Sequence, residues 1–234
     1  MRGSSSKSGK FHAVITGDVV GSSHLSGEAR RALYDVMKRG AEELQTHFGR
    51  YLPADLDLFA GDTWQLLVNE PARALRIGVW YRAYLRANAE GIDTRLAIAM
   101  GKVDYIIQER VSESEGEAFQ LSGRLLSDKD GGPRMHFAAP CCPYWRVWDV
   151  AFSLIDALIQ ASWTPARSLA VTGALLGWPQ DRILTLWDPP IRQPSVAEHL
   201  RRAHWPLLSS TITTFEQDLS EPETPTAGGY RPPE

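Results

Sequence analysis

The alternation of apolar and polar positions divides the chain into two unlike halves. Residues 11–18 (FHAVITGD) form a short, β-branched run with Gly17 and Gly21 near its end, which predicts a buried strand entering a tight loop. From residue 28 to 48, Ala29, Leu33, Val36, Met37, Ala41, Leu44 and Phe48 recur at helical spacing with charges between them, and Gly49 follows, so an amphipathic helix is expected. Residues 55–60 and 63–69 are strand-like runs separated only by Gly61 and Asp62, a hairpin with an acid at its tip. Pro71 opens a helix to about residue 89. Leu96, Ile98 and Met100 alternate along a strand over 94–101, a helix covers 117–128, and a last strand covers 134–138. A hairpin set between helices is the pattern of an α+β, ferredoxin-like split βαβ sandwich, whereas a doubly wound sheet would alternate strand and helix strictly.

Pro140, Pro143 and the aromatic run Tyr144, Trp145 and Trp148 mark a boundary, beyond which helical patterns dominate. Helices are expected over 150–162, 165–176, 180–187 and 193–203, and the last of these (QPSVAEHLRRA) resembles part of a helix-turn-helix. The expected organisation is a flexible N-terminus over 1–10, an α+β domain over 11–140, an all-helical domain over 143–218 and a disordered tail over 219–234. That tail (rich in Pro, Glu, Thr and Gly) has too little apolar surface to offset its ordering entropy.

Composition narrows the picture modestly. With 43% apolar residues and 8 Trp the chain can fill a core, and the six Trp between residues 145 and 205 are expected to pack the helical part. A net charge of -3 offers no global attraction to nucleic acid or to an anionic membrane. No run reaches the roughly 18 apolar residues of a membrane span, and the polar N-terminus lacks the apolar segment of a signal peptide, so the expected location is the cytoplasm without a membrane partner. The adjacent Cys141 and Cys142 are expected to be reduced, since neighbouring residues rarely bridge, and His24, His47 and His136 lack metal-ligand spacing.

The chemistry is concentrated in the first half. Asp18 ends the first strand and Asp62 sits at the hairpin tip, and in a split βαβ sheet those strand ends can lie side by side. Two carboxylates facing a small-residue loop (residues 19–23, VVGSS) suit Mg²⁺ or Mn²⁺ together with a nucleoside triphosphate, whose phosphates neutralise the loop amides.

Three ordered motifs resemble the class III nucleotidyl cyclases. Asp18-Val19-Val20-Gly21-Ser22 is similar to that family's first metal motif, and Gly61-Asp62, 44 residues after Asp18, to its second. The segment from Gly116 to Arg124 (GEAFQLSGR) matches in register the family's Gly, base-reading residue, two spacers, Asn, and Arg four residues later. The resemblance covers roughly residues 11–138 and implies a homodimer with shared sites: Asp18, Asp62 and the Val19 carbonyl on the metal, Val20, Gly21 and Ser22 on phosphate, and Gln120 and Arg124 contributed by the other protomer. Gln120 stands where the family has Asn, and Leu58 where it has the purine-reading Lys, which leaves Glu117 as the polar base reader. The whole chain is also similar to the SatD-like proteins, a group joining a small cyclase palm to a helix-turn-helix. Arg192, Gln193, Arg201 and Arg202 would then be the DNA contacts. Two functions follow: a metal-dependent cyclase producing a cyclic mononucleotide and pyrophosphate, or a DNA-binding regulator with a nucleotide-sensing palm.

Overall fold

The computed structural model describes residues 11–127 and 132–220. Four strands form the frame: β1 (Phe11–Val19), β2 (Asp57–Phe59), β3 (Thr63–Val68) and β4 (Thr94–Tyr105), with α1 (Gly27–Phe48) between β1 and β2 and α2 (Ala74–Asn88) between β3 and β4. The sheet runs β2-β3-β1-β4 with every neighbouring pair antiparallel. That order is the expected split βαβ arrangement. A two-residue strand β5 (Glu115–Gly116) extends the far end of β4, α3 (Glu117–Ser127) follows, and β6 (Met135–Ala138) pairs with β4 in parallel.

Strand alternation assigns the two faces. Ala13, Ile15, Trp64, Leu66, Leu96 and Ile98 point into the main apolar cluster under α1 and α2. Val14 and Leu67 point the other way and meet Ala118 and Phe119 of α3 in a second, smaller cluster. Among the described residues the sheet is thus covered by α1 and α2 on one face, and on the other by α3 with the 3-10 turn Val111–Glu113. Ser26 caps α1 by accepting from the Ala29 amide at 3.2 Å.

Among the described residues five α-helices follow: α4 (Trp145–Ser162), α5 (Pro165–Leu175), α6 (Gln180–Ile183), α7 (Gln193–Arg202) and α8 (Trp205–Ser220). They bury side chains in the same cluster as the sheet, so that Phe137 of β6, Phe152 of α4 and Phe215 of α8 form one aromatic contact group with centroids 5.0–5.6 Å apart. α2 lies between sheet and helices and is buried nearly all round, although it carries Arg76, Arg82 and Arg86. A buried charge network reinforces this junction: Arg82, fully buried, donates to both Asp93 oxygens at 2.8 Å and meets Asp156 of α4 at 2.7 Å, and Arg86 and Arg134 also reach Asp93.

Several expected boundaries move. α4 starts at Trp145 instead of 150, because Trp145 and Trp148 pack on the core as its first turns instead of marking a break. The expected helix over 180–187 is one α-helical turn followed by a 3-10 turn at Leu184–Leu186. α8 is a helix beyond those the sequence pattern predicts, and it carries Leu219 and Ser220 of the expected tail; Leu208, Ile212 and Phe215 are buried along it. The expectations for residues 1–10 and for 221–234 lie outside the described residues, as does Asp128 of the helix expected to end there.

Candidate nucleotide and metal site

One corner of the sheet gathers the sequence-flagged acids. Asp18 is the register partner of Thr63 on one side and of Arg95 on the other, so the end of β1 lies directly against the hairpin tip. The Val19 amide donates to the Asp62 carbonyl at 3.1 Å, which fixes this part of β1 beside the turn. Ala60 and Gly61 make the turn with φ of 52° and 88°; the second is readily taken by glycine, and together they carry Asp62 to the end of β1. Beneath the corner, the Trp64 indole donates to Thr94 Oγ1 at 3.0 Å and that hydroxyl donates to the Asp18 carbonyl at 2.7 Å. Gly17 is required here, since a Cβ would sit 2.3 Å from the Trp64 ring.

Each carboxylate already has partners. Asp18 receives Arg95 through Nε at 2.9 Å and Nη2 at 2.6 Å. Asp62 Oδ2 accepts from the Ser22 hydroxyl, and Oδ1 from Thr63 at 3.4 Å. Among the described residues no group of three or more His, Cys, Asp or Glu forms a metal cage. Two carboxylates at adjacent strand ends nevertheless fit Mg²⁺ or Mn²⁺, which commonly take one or two protein carboxylates and complete their shell with water and substrate phosphates.

The phosphate loop needs one correction. The Val20 amide, expected on phosphate, donates to the Asp93 carbonyl at 2.9 Å and is committed to the framework. Gly21 turns the chain at φ 74° and is exposed, and Ser22 begins a 3-10 turn. Of these two only Gly21 is accessible, since Ser22 is buried with its hydroxyl on Asp62.

On α3, Glu117, Gln120 and Arg124 are exposed along one stripe while Ala118, Phe119 and Ser122 are buried. The spacing of three and four residues puts all three polar side chains on one side of the helix. Ser122 Oγ lies 2.8 Å from Thr16 Oγ1, which accepts from Gln65 at 2.7 Å, so a buried polar chain sets the height of α3 on the sheet. Arg124 Nε donates to the Gln120 carbonyl at 3.2 Å. The Lys102 amide approaches a Glu117 carboxylate oxygen at 3.4 Å, which folds that side chain onto β4 beside Gly101. Leu58 pairs with Trp64 and packs on the main apolar cluster, on the helix-covered face of β2. It is therefore not brought together with Gln65, Thr16 and α3, and its expected place in base reading is not met by its position: an apolar side chain gains more by joining the core.

The residues named for DNA lie apart from this corner. Arg192 and Gln193 are exposed at the start of α7, and Arg201 and Arg202 both clamp Glu198, at 2.7 Å and 2.5 Å. Those bonds hold the Glu198 carboxyl down at about 2. α7 also lines an open groove of about 460 Å³ with Thr164, Arg167 and His199. Cys141 and Cys142 are both free thiols, with sulfurs 3.7 Å apart.

Sequence reading missed Arg95, Thr94 and Trp64, whose importance depends on register. Only the charge of Arg95, on the strand face opposite Leu96 and Ile98, could have drawn notice.

Among the described residues no helix is long and apolar enough to cross a membrane. No family model matches the chain, and no curated protein does. Among solved structures it is similar to the guanylyl cyclase Cya2, at 20% identity and a TM-score of 0.42, over 54% of this chain and 74% of that one. It is also similar to the adenylyl cyclase CyaB from P. aeruginosa, at 20% and 0.40, over 55% and 76%. A third similar structure is the catalytic core of a rhodopsin-guanylyl cyclase with converted specificity in complex with ATPalphaS, at 14% and 0.45, over 55% and 77%.

Proposed function

We propose that the palm is a metal-dependent nucleotidyl cyclase acting as a homodimer. The observation that carries this reading is the placement of Asp18 and Asp62 at adjacent strand ends, together with a stripe of Glu117, Gln120 and Arg124 left exposed on the α-helix that packs on that face of the sheet. Bound by the two acids, Mg²⁺ or Mn²⁺ would lower the pKa of the ribose 3′-hydroxyl and neutralise the triphosphate. The loop at the exposed Gly21 holds the phosphates, with the buried Ser22 beneath it supporting Asp62. From the second protomer, Gln120 orients the ribose and Arg124 stabilises charge on the α-phosphoryl group as the 3′-oxygen bonds to phosphorus, the bond to the β-phosphate bridging oxygen breaks and pyrophosphate leaves. With Leu58 turned into the core, base choice falls to Glu117. As a pure acceptor it favours a base edge presenting N–H donors, such as cytosine or guanine.

Incubation with each of the four ribonucleoside triphosphates and Mn²⁺ should give cyclic product and pyrophosphate with at least one. Asp62→Ala should abolish turnover with all of them, whereas Glu117→Ala should blur discrimination among bases. No product from any triphosphate would contradict the reading.

The Asp18–Arg95 pair and the core-facing Leu58 favour a second reading, a nucleotide-sensing regulator that does not cyclise. Specific retention of a DNA fragment, lost on Arg201→Ala, without cyclic product would support it.

A further inference from the structure

Asp18 and Arg95 are direct cross-strand partners, and the guanidinium engages both carboxylate oxygens. The pair is partly open to water, with side-chain exposures of 20% and 32%. An isolated pair at such exposure contributes little, but a forked Arg–carboxylate contact on a rigid base is the stronger kind. The base is rigid here: the Asp18 carbonyl is held by Thr94, Thr94 by Trp64, and the preceding Gly17 is closed over by the indole. Asp18 therefore meets any cation where Arg95 already stands. Asp62, by contrast, holds only hydroxyl partners among the described residues. A divalent ion meets only neutral hydroxyl partners at Asp62, but at Asp18 it meets a guanidinium that already holds both oxygens and repels a second cation.

We propose that Arg95 is a built-in counter-ion that competes with the divalent metal for Asp18 and so sets the metal concentration at which the site fills. This rests on the reading of Asp18 and Asp62 as metal ligands. Arg95 acts through Asp18 and is a positioning residue, so its effect is read in metal binding itself.

The test titrates Mn²⁺ alone into the full chain and reads unbound ion by electron paramagnetic resonance, for wild type, Arg95→Gln, Arg95→Lys, Asp18→Asn and Asp62→Asn. Arg95→Gln should bind Mn²⁺ about five- to tenfold more tightly than wild type, the scale of one good surface ion pair. Arg95→Lys, which keeps the charge and loses the fork, should fall between, and it decides the matter if near-UV circular dichroism shows Arg95→Gln misfolded. Equal affinities for wild type and the Arg95 variants, with binding weakened by Asp18→Asn, would overturn the counter-ion role and leave the metal site standing. Binding that no variant at Asp18 or Asp62 alters would overturn both.

Discussion

At the scale of single residues, charge burial separates the groups that fold the protein from those that could react. Burial alone would push the Asp93 carboxyl up, but the bonds and charges of Arg82, Arg86 and Arg134 outweigh it and hold the carboxyl at about 2, from an ordinary 3.8. A depressed carboxyl contributes stability above its unfolded value, and that contribution is lost as pH falls through the folded one. The shift corresponds to about 2 kcal/mol, at roughly 1.4 kcal/mol per unit. Urea unfolding between pH 5 and pH 2 should show this loss in wild type, and Asp93→Asn, though less stable throughout, should lack that component of the slope. Equal slopes would show that Asp93 does not carry it. None of this was legible from sequence, where Asp93 is one acid in a polar turn, because its three arginine partners come from α2 and from the start of β6. Asp18 and Asp62 were legible because strand ends and hairpin tips are local features, whereas Arg95 is tied to Asp18 only by a register that no local pattern states.

At the scale of elements, α3 matters most for the site. The helix was readable from spacing, and Glu117, Gln120 and Arg124 were marked by the resemblance of their segment to the cyclase motif, while its seat on the sheet was not readable from either. Thr16, Gln65 and Ser122 sit on three different elements and look like ordinary polar residues until they form one buried chain of hydroxyl and amide contacts. Ser122→Ala should cost about 1 kcal/mol, the usual net worth of a hydrogen bond, in a chemical denaturation measurement. It should also slow turnover while leaving Mn²⁺ affinity unchanged, since α3 and the acids are proposed to serve different parts of the reaction. A variant that lost stability but kept full turnover would show that the polar chain does not position Arg124. α8 shows the opposite lesson. Leu208, Ile212, Phe215 and Leu219 recur at helical spacing and could have been read as a helix, but the nearby Pro- and Glu-rich segment drew the boundary too early.

At the scale of the whole molecule, the order of strands and helices in the first half, apart from the two-residue β5, was expressed in the apolar periodicity, so the split βαβ sheet followed from it. How the helical half meets the sheet was not expressed there: α2 reads as an ordinary helix, and only its burial on all sides shows that α5 and its neighbours cover it. That covering leaves the α3 face as the broad surface of the sheet without a second layer of helices, and the proposed homodimer would use it to bring the acids of one protomer to Arg124 of the other. Asp62→Ala and Arg124→Ala should each be inactive alone, because each removes one half of every site. Mixed in equal amounts and allowed to exchange, they form heterodimers in which one of two sites is intact, and random pairing then restores about a quarter of wild-type cyclic nucleotide formation. Recovery of that order is the predicted result. Two inactive variants that stay inactive when mixed, alongside an active wild type, would contradict the shared site.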